Sequence, residues 1–106
     1  MAVFDLFRSS GIDEGLRQFE NTSGAALLDV RTPQEYAQGH LPGSRNIPLD
    51  EIGQAAEAVT DLNTPLFIYC HSGARSAQAT AALRRMGFQH VTNIGGISAY
   101  RGKVEY

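Results

Sequence analysis

The chain has 106 residues, 42% hydrophobic and 19% charged, a balance that predicts a single globular domain over residues 1–106 and excludes a disordered or fibrous chain. Its 9 lysines and arginines against 11 aspartates and glutamates give a net charge of -2, which argues against nucleic acid or a membrane as a partner. One cysteine, no stretch resembling a secretion signal and no apolar run of the ~18 residues that span a bilayer together predict a cytoplasmic protein.

The first predicted elements are a helix and a strand. Ile12, Leu16 and Phe19 recur at spacings of four and three, which predicts a short amphipathic helix ending before the break at 21–24. The stretch AALLDV at 25–30 follows as a strand whose apolar residues do not alternate with polar ones. That pattern is typical of burial on both faces, as in a parallel sheet with helices on each side.

Helix-start signals coincide at TPQEY, where Thr32 is the expected N-cap, Pro33 takes the first helical position and Glu35 closes a capping box. Gly39 then ends this helix within two turns. The turn-rich stretch HLPGSRNIPL leaves room for one brief strand around Ile47. A further helix is expected from Asp50 as its cap, with four apolar residues on one face: Ile52, Ala55, Ala56 and Val59.

The second half of the chain repeats the order of strand and helix. PLFIYC is an uninterrupted apolar strand with Cys70 at its carboxyl end, and an apolar stripe from Ala79 to Met86 predicts a helix that stops at Gly87. HVTNI gives a last strand, followed by a turn and a short helix in GGISAYRG. The alternation predicts an α/β fold with a mainly parallel sheet, in which ligands bind beyond the carboxyl ends of the strands.

The stretch YCHSGARS carries the candidate chemistry. A loop between strand and helix would direct its backbone N–H groups and the helix dipole at a point above the Cys70 sulfur. Gly73 permits that curl, and Arg75 adds positive charge, so the pKa of Cys70 should be lowered and the thiolate should act as a nucleophile. The predicted anion-binding loop comprises Cys70 and the five residues after it: His71, Ser72, Gly73, Ala74 and Arg75.

Three ordered motifs between Ala26 and Tyr100 resemble the rhodanese family of sulfurtransferases. The loop matches C-x-x-G-x-R-S, LLDVRTPQEYAQGHLPGSRNIPL is similar to the family's upstream signature, and NIGGISAY is similar to its closing G-G-x-x-x-[WY] segment. The resemblance implies a rhodanese-like α/β fold with a mainly parallel five-stranded sheet flanked by helices on both faces. It also implies that Cys70 takes a sulfane sulfur from a donor such as thiosulfate, holds it as a persulfide and passes it to a thiol or to cyanide.

Three alternatives bear on this prediction. A non-catalytic or regulatory rhodanese-like module would use the same pocket to bind a partner. Phosphatases related to the family have five residues between cysteine and arginine, whereas this chain has four between Cys70 and Arg75, a smaller ring that fits sulfur better than phosphate. Arsenate reductases with a disulfide cascade need a resolving cysteine. Because this chain has no second cysteine, its sulfur acceptor must come from outside the chain.

Supporting roles are expected for Asp29, Arg31 and Ser76. Asp29 and Arg31 lie at the end of the first strand, where an ion pair fixing the sheet edge is favoured over catalysis because buried charges are normally paired. Ser76 is the last residue of the loop motif. His71 supplies positive charge only when it is protonated. The histidines and Cys70 do not form a spaced ligand set, so neither a metal nor a cofactor is expected.

Overall fold

The computed structural model describes the backbone of residues 2–106 and the side chains of residues 11–106. Its helices and strands alternate along the chain, as the apolar patterns predict. The order is α1 (Ala2–Glu20), β1 (Ala26–Asp29), α2 (Pro33–Ala37), β2 (Ser44–Asn46), a 3₁₀ helix (Leu49–Gln54), α3 (Ala55–Ala58), β3 (Leu66–Cys70), α4 (Ala74–Arg85), β4 (Val91–Gly96) and a last 3₁₀ turn (Ile97–Ala99). Helical geometry in α1 is interrupted at Gly11.

The strands form one parallel sheet in the order β2-β1-β3-β4. Within the described residues the sheet has four strands, so the five implied by the family resemblance are wrong. The residues before β1 have helical spacing and form α1, and the extended residues near the end of the chain make a single antiparallel bridge, between Glu105 and His40. One bridge fixes no ladder, so this pairing adds no strand.

Local signals account for most element boundaries. Thr32 caps α2, and Glu35 closes the predicted capping box. The strand expected around Ile47 ends one residue earlier, at Asn46. Asp50 as a helix cap is wrong: Pro48, with φ of -57° and an extended ψ of 149°, precedes the 3₁₀ helix, and Asp50 lies in its first turn. The fixed φ of proline thus sets the start of this segment two residues before the aspartate.

Two apolar layers cover the two faces of the sheet, because β1 and β3 are buried at every position. Cys70 belongs to the layer that includes α4, whose buried side chains include Ala79 and Leu83. The opposite layer packs α1, through Ile12 and Leu16, against the other faces of the strands. Among the described residues, no helix combines the length and apolar character needed to cross a membrane.

Candidate active site

β3 delivers Cys70 to the carboxyl edge of the sheet, and α4 begins four residues later at Ala74. Gly73 is the N-cap of α4 with a φ of +107°, a left-handed conformation that residues with a Cβ rarely adopt. This conformation turns the chain back over the cysteine. The side chain of Cys70 therefore lies at the amino end of a twelve-residue helix, where helix polarity favours negative charge.

The Cys70 sulfur makes hydrogen bonds with the loop and with the first turn of α4. The Gly73 N–H lies 3.0 Å from Sγ, and the Ser76 hydroxyl oxygen lies 3.5 Å from it. Burial is the largest single influence on the pKa of Cys70 and raises it, but hydrogen bonds from the Ser76 side chain and from the backbone N–H groups of Ser76, Gly73 and Ser72 outweigh it. The net result is a lowered pKa, and the donors favour the thiolate over the thiol.

A second ring of contacts holds Ser76. Its side chain is completely buried, and its hydroxyl lies 2.8 Å from Oδ1 of Asn93 and 3.0 Å from the carbonyl oxygen of Gly73. Asn93 precedes an irregularity in the pairing of β3 with β4, where Ile68 pairs with Asn93 but Tyr69 pairs with Gly95. The bulge therefore lies where β4 meets the active-site loop.

The two glycines at the end of β4, Gly95 and Gly96, allow this strand to lie close to the loop between β3 and α4. A Cβ on Gly96 would lie 2.6 Å from Cα of Ser72, which is backbone and cannot yield as a side chain can. The Ser98 N–H donates to the carbonyl oxygen of His71 at 3.0 Å. The segment GGIS thus forms one wall of the loop, and the close approach of the two backbones accounts for glycine at the end of β4.

Arg75 makes a bidentate ion pair with Glu35. Its Nη1 and Nη2 lie 2.7 and 2.9 Å from the two carboxylate oxygens of Glu35. The Arg75 hydrogen bond is the largest influence on Glu35 and lowers the pKa of that carboxyl to about 2. Glu35 also accepts hydrogen bonds from the backbone and hydroxyl of Thr32. The carboxylate therefore ties α2 to the first turn of α4.

Asp29 and Arg31 form a buried ion pair at the end of β1. The side chains are 0% and 6% exposed, and Nη2 of Arg31 lies 2.6 Å from Oδ2 of Asp29. Nε of Arg31 also donates to the Asp29 carboxylate, and Nη2 donates to the carbonyl oxygen of Gly39 as well. The Asp29 carboxylate is thus paired with Arg31 inside the protein, an ion pair at the sheet edge as expected from the sequence.

A cleft of about 270 Å³ opens beside the loop, lined by Arg75 and by residues that follow β1 and β2. Its wall combines apolar surface with charged and polar groups: Val30, Arg31, Thr32, Pro48, Leu49 and Asp50. Arg75 is the one residue of the Cys70–Arg75 loop in the lining of this cleft. The geometry up to this point is that of a cysteine with a lowered pKa at the start of a helix, with an open cleft on the Arg75 side of the loop.

The rhodanese-like domain model matches residues 13–103 of this sequence. The chain belongs to the rhodanese-like domain family. Thiosulfate sulfurtransferase PspE from Escherichia coli is 45% identical over 71 residues, which are 66% of this chain and 68% of PspE. Thiosulfate sulfurtransferase GlpE from Pseudomonas paraeruginosa is 35% identical over 98 residues, 92% of this chain and 86% of GlpE. Two relatives from Bacillus subtilis are matched over 64% and 43% of their lengths.

The fold agrees with this assignment. A solved structure described as a rhodanese with anions from E. coli superposes with a TM-score of 0.71 at 40% identity, and the match covers 77% of this chain and 99% of that one. The predicted α/β rhodanese-like fold with a parallel sheet and helices on both faces is confirmed, apart from the strand number.

The structure of this rhodanese-like chain brings most of the predicted site residues together. Ser72, Gly73 and Ser76 surround the Cys70 sulfur, whereas Arg75 points to Glu35. His71 contributes its backbone carbonyl to the contact with Ser98. Sequence reasoning assigned Glu35 to a helix cap alone and did not single out Asn93. Both contacts join residues 17 or more positions apart, and no local spacing signals such pairs.

Proposed function

We propose that this chain is a sulfurtransferase that carries a sulfane sulfur on Cys70 as a persulfide and transfers it from a donor such as thiosulfate to an external thiol or to cyanide. The observation that carries the proposal is the position of the Cys70 sulfur, 3.0 Å from the Gly73 N–H at the start of α4. The proposal is supported by membership of the rhodanese-like family and by relatives named thiosulfate sulfurtransferase.

In the first step the Cys70 thiolate attacks the outer sulfur of thiosulfate. A new S–S bond forms on Cys70, the S–S bond of the donor breaks, and sulfite leaves with the bonding electron pair. The hydrogen bond from the Gly73 N–H and, once the sulfur is charged, a hydrogen bond from the Ser76 hydroxyl stabilise the thiolate for this attack.

In the second step an acceptor thiolate, or cyanide, attacks the terminal sulfur of the persulfide. The bond between the two sulfurs breaks, and Cys70 returns to the thiolate with the electron pair. The persulfide is itself anionic, so the loop N–H groups directed at the sulfur stabilise both the thiolate and the persulfide without rearrangement. The acceptor has to be a separate molecule because Cys70 is the only cysteine of the chain.

The amphiphilic cleft beside the loop is the proposed approach for donor and acceptor. Its apolar wall at Val30, Pro48 and Leu49 adjoins Arg75 and Asp50, a combination that suits a small thiol or a protein segment with both apolar and charged parts. A rhodanese-like module that only binds a partner would use the same cleft but would leave Cys70 unmodified.

Mass spectrometry of the intact protein after exposure to thiosulfate tests the persulfide. We expect a gain of one sulfur atom that is reversed by an added thiol or by cyanide. Cys70→Ser provides the control, since its hydroxyl leaves the loop volume nearly unchanged but removes the nucleophilic sulfur. A protein that gains no sulfur from thiosulfate or from any small persulfide would contradict the proposal and favour the binding module. Turnover of an aryl phosphate would favour a phosphatase instead.

A further inference from the structure

The buried Ser76 hydroxyl has one hydrogen atom and three neighbours that can accept it. Its oxygen lies 2.8 Å from Oδ1 of Asn93, 3.0 Å from the carbonyl oxygen of Gly73 and 3.5 Å from Sγ of Cys70. A hydroxyl donates one hydrogen bond at a time. The three acceptors therefore compete for the same hydrogen.

The identity of the Asn93 atom follows from its second partner. The backbone N–H of Gly95 lies 3.0 Å from the same Oδ1. Because a backbone N–H can only donate, the side-chain atom facing it is the oxygen, and an amide oxygen can only accept. Ser76 must therefore be the donor in its contact with Asn93.

The charge on Cys70 changes what Ser76 can do. A neutral Cys70 thiol donates its hydrogen to Ser76 Oγ, which leaves the hydroxyl hydrogen free for Asn93, the shortest of the three contacts. A Cys70 thiolate has no hydrogen and accepts instead, and hydrogen bonds to a charged acceptor are stronger than those between neutral groups. In that state the hydroxyl hydrogen turns toward sulfur.

We propose that Asn93 is a positioning residue that competes with Cys70 for the hydrogen of the Ser76 hydroxyl. The hydroxyl points to Asn93 while Cys70 is a thiol, and it points to the sulfur once Cys70 is a thiolate. If the proposed function holds, it also points to the sulfur of the persulfide. The O–H bond of Ser76 turns and does not break. The proton that leaves Cys70 passes to solvent, and none passes through Ser76 to Asn93.

The bulge in β4 lets the Ser76 hydroxyl turn from Asn93 to the Cys70 sulfur at a small cost in free energy. Asn93 keeps its hydrogen bond from Gly95 after Ser76 turns away, and its side chain is exposed, so water can replace the lost contact. A fully buried acceptor would instead be left without a hydrogen-bond partner, which is costly. An exposed asparagine therefore holds the hydroxyl in the resting state and releases it when the charge forms.

Two of the charged pairs around the loop are fixed by ion pairs, Asp29 with Arg31 and Glu35 with Arg75, whereas Asp50 and His71 are exposed. These groups come from the end of β1 and the residues after it, α2, the 3₁₀ helix, the loop and α4. Replacing Asn93 or Ser76 by alanine changes none of these charges. A change in the titration of Cys70 would therefore come from the hydroxyl network.

A double-mutant cycle on Ser76 and Asn93 tests the proposal, with the pKa of Cys70 measured from thiolate absorbance and from the pH dependence of alkylation. Asn93→Ala removes one competitor, so we expect the pKa of Cys70 to fall by about 0.5, the effect of a fraction of one hydrogen bond. Ser76→Ala should raise it. In the Ser76→Ala background, Asn93→Ala should leave the pKa unchanged, because there is no hydroxyl to release.

An equal change in both backgrounds, a rise, or no change on Asn93→Ala would each overturn the proposal. Thr92→Ala, on the exposed part of the same strand, is the matched control and should leave the titration as it is. If Asn93→Ala does not fold, Asn93→Asp keeps the acceptor for Gly95 and should raise the pKa more with Ser76 present than without it. Titration needs no sulfur donor, so its outcome is separate from the mass-spectrometric test of the persulfide.

Discussion

Arg75 shows at the scale of one residue how a contact alters the role that a motif suggests. Its guanidinium is the cation of the loop, yet two of its nitrogens bind the Glu35 carboxylate. The pair is therefore close to neutral as a unit, and the lowered pKa of Cys70 rests on hydrogen bonds from Ser76, Gly73 and Ser72. We infer that Arg75 mainly fixes the position of the loop against α2.

Glu35→Gln should reveal how much the ion pair between Arg75 and Glu35 stabilises the fold, as a pH-dependent difference in the free energy of unfolding. The amide keeps the capping box but loses the ion pair, which we expect to cost up to about 1 kcal/mol of unfolding free energy at neutral pH because the pair is partly exposed. The pKa of Glu35 is lowered to about 2 in the folded chain. The contribution is thus complete above the ordinary carboxyl pKa and disappears as the pH falls toward 2.

Urea unfolding of both proteins at several pH values between neutral and pH 2 measures the difference. Titration of the other carboxyls cancels between them, so the advantage of the natural chain should shrink below about pH 4.3. Glu57→Gln, on the exposed face of α3, controls for charge alone. A difference that stays constant down to the lowest pH would show that the ion pair contributes nothing.

At the scale of elements, the site is a contact between the β3–α4 loop and the end of β4. A Cβ at Gly96 would lie 2.6 Å from Cα of Ser72, which is a clash, whereas a Cβ at Gly73 would lie 3.7 Å from Cα of Gly95, an ordinary van der Waals distance. At this contact the β3–α4 loop and the end of β4 meet through backbone atoms, with no side chain between them. A side chain at this contact has no neighbouring side chain to displace and must move the loop.

Gly96→Ala should therefore separate loop geometry from folding. We expect the rate of Cys70 alkylation and of sulfur uptake to fall by about 10²-fold, the loss expected when reacting groups shift by about 1 Å. The melting temperature should fall modestly, as overpacking costs roughly 1–3 kcal/mol. Gly53→Ala is the matched control, because a Cβ there meets no atom within 4 Å. Unchanged alkylation in Gly96→Ala would contradict this role for the glycine.

The limits of prediction from sequence also appear at this scale. The uninterrupted apolar runs fixed β1 and β3, and the Thr32 and Glu35 capping box marked the start of α2, because these signals lie within a few residues of one another. The contacts of Glu35 with Arg75 and of Asn93 with Ser76 depend on the packing of separate elements. The expected number of strands was wrong because it was taken from the family resemblance. The residues before β1 have helical spacing and form α1.

At the scale of the whole molecule, one sheet is shared by two apolar layers. Leu83 of α4 belongs to the layer that contains Cys70, and Leu27 of β1 belongs to the layer that packs against α1. Both side chains are almost completely buried, at 0% and 1% exposure. Because each buried strand contributes side chains to both layers, loss of packing on one face removes support from the other.

Leu27→Ala and Leu83→Ala should therefore have similar effects although they lie on opposite faces of the sheet. We expect each to lower the unfolding free energy by about 2–5 kcal/mol, the usual cost of such a cavity. Far-UV circular dichroism and tyrosine fluorescence, to which buried Tyr69 of the α1 layer contributes together with three other tyrosines, should give one midpoint in urea for every variant. Leu62→Ala, exposed at 42%, should change the midpoint far less. Separate midpoints for the two probes in Leu27→Ala would show that the α1 layer can unfold while the Cys70 layer stays folded. In that case the pKa of the Cys70 thiol would stay lowered after the first of the two unfolding transitions.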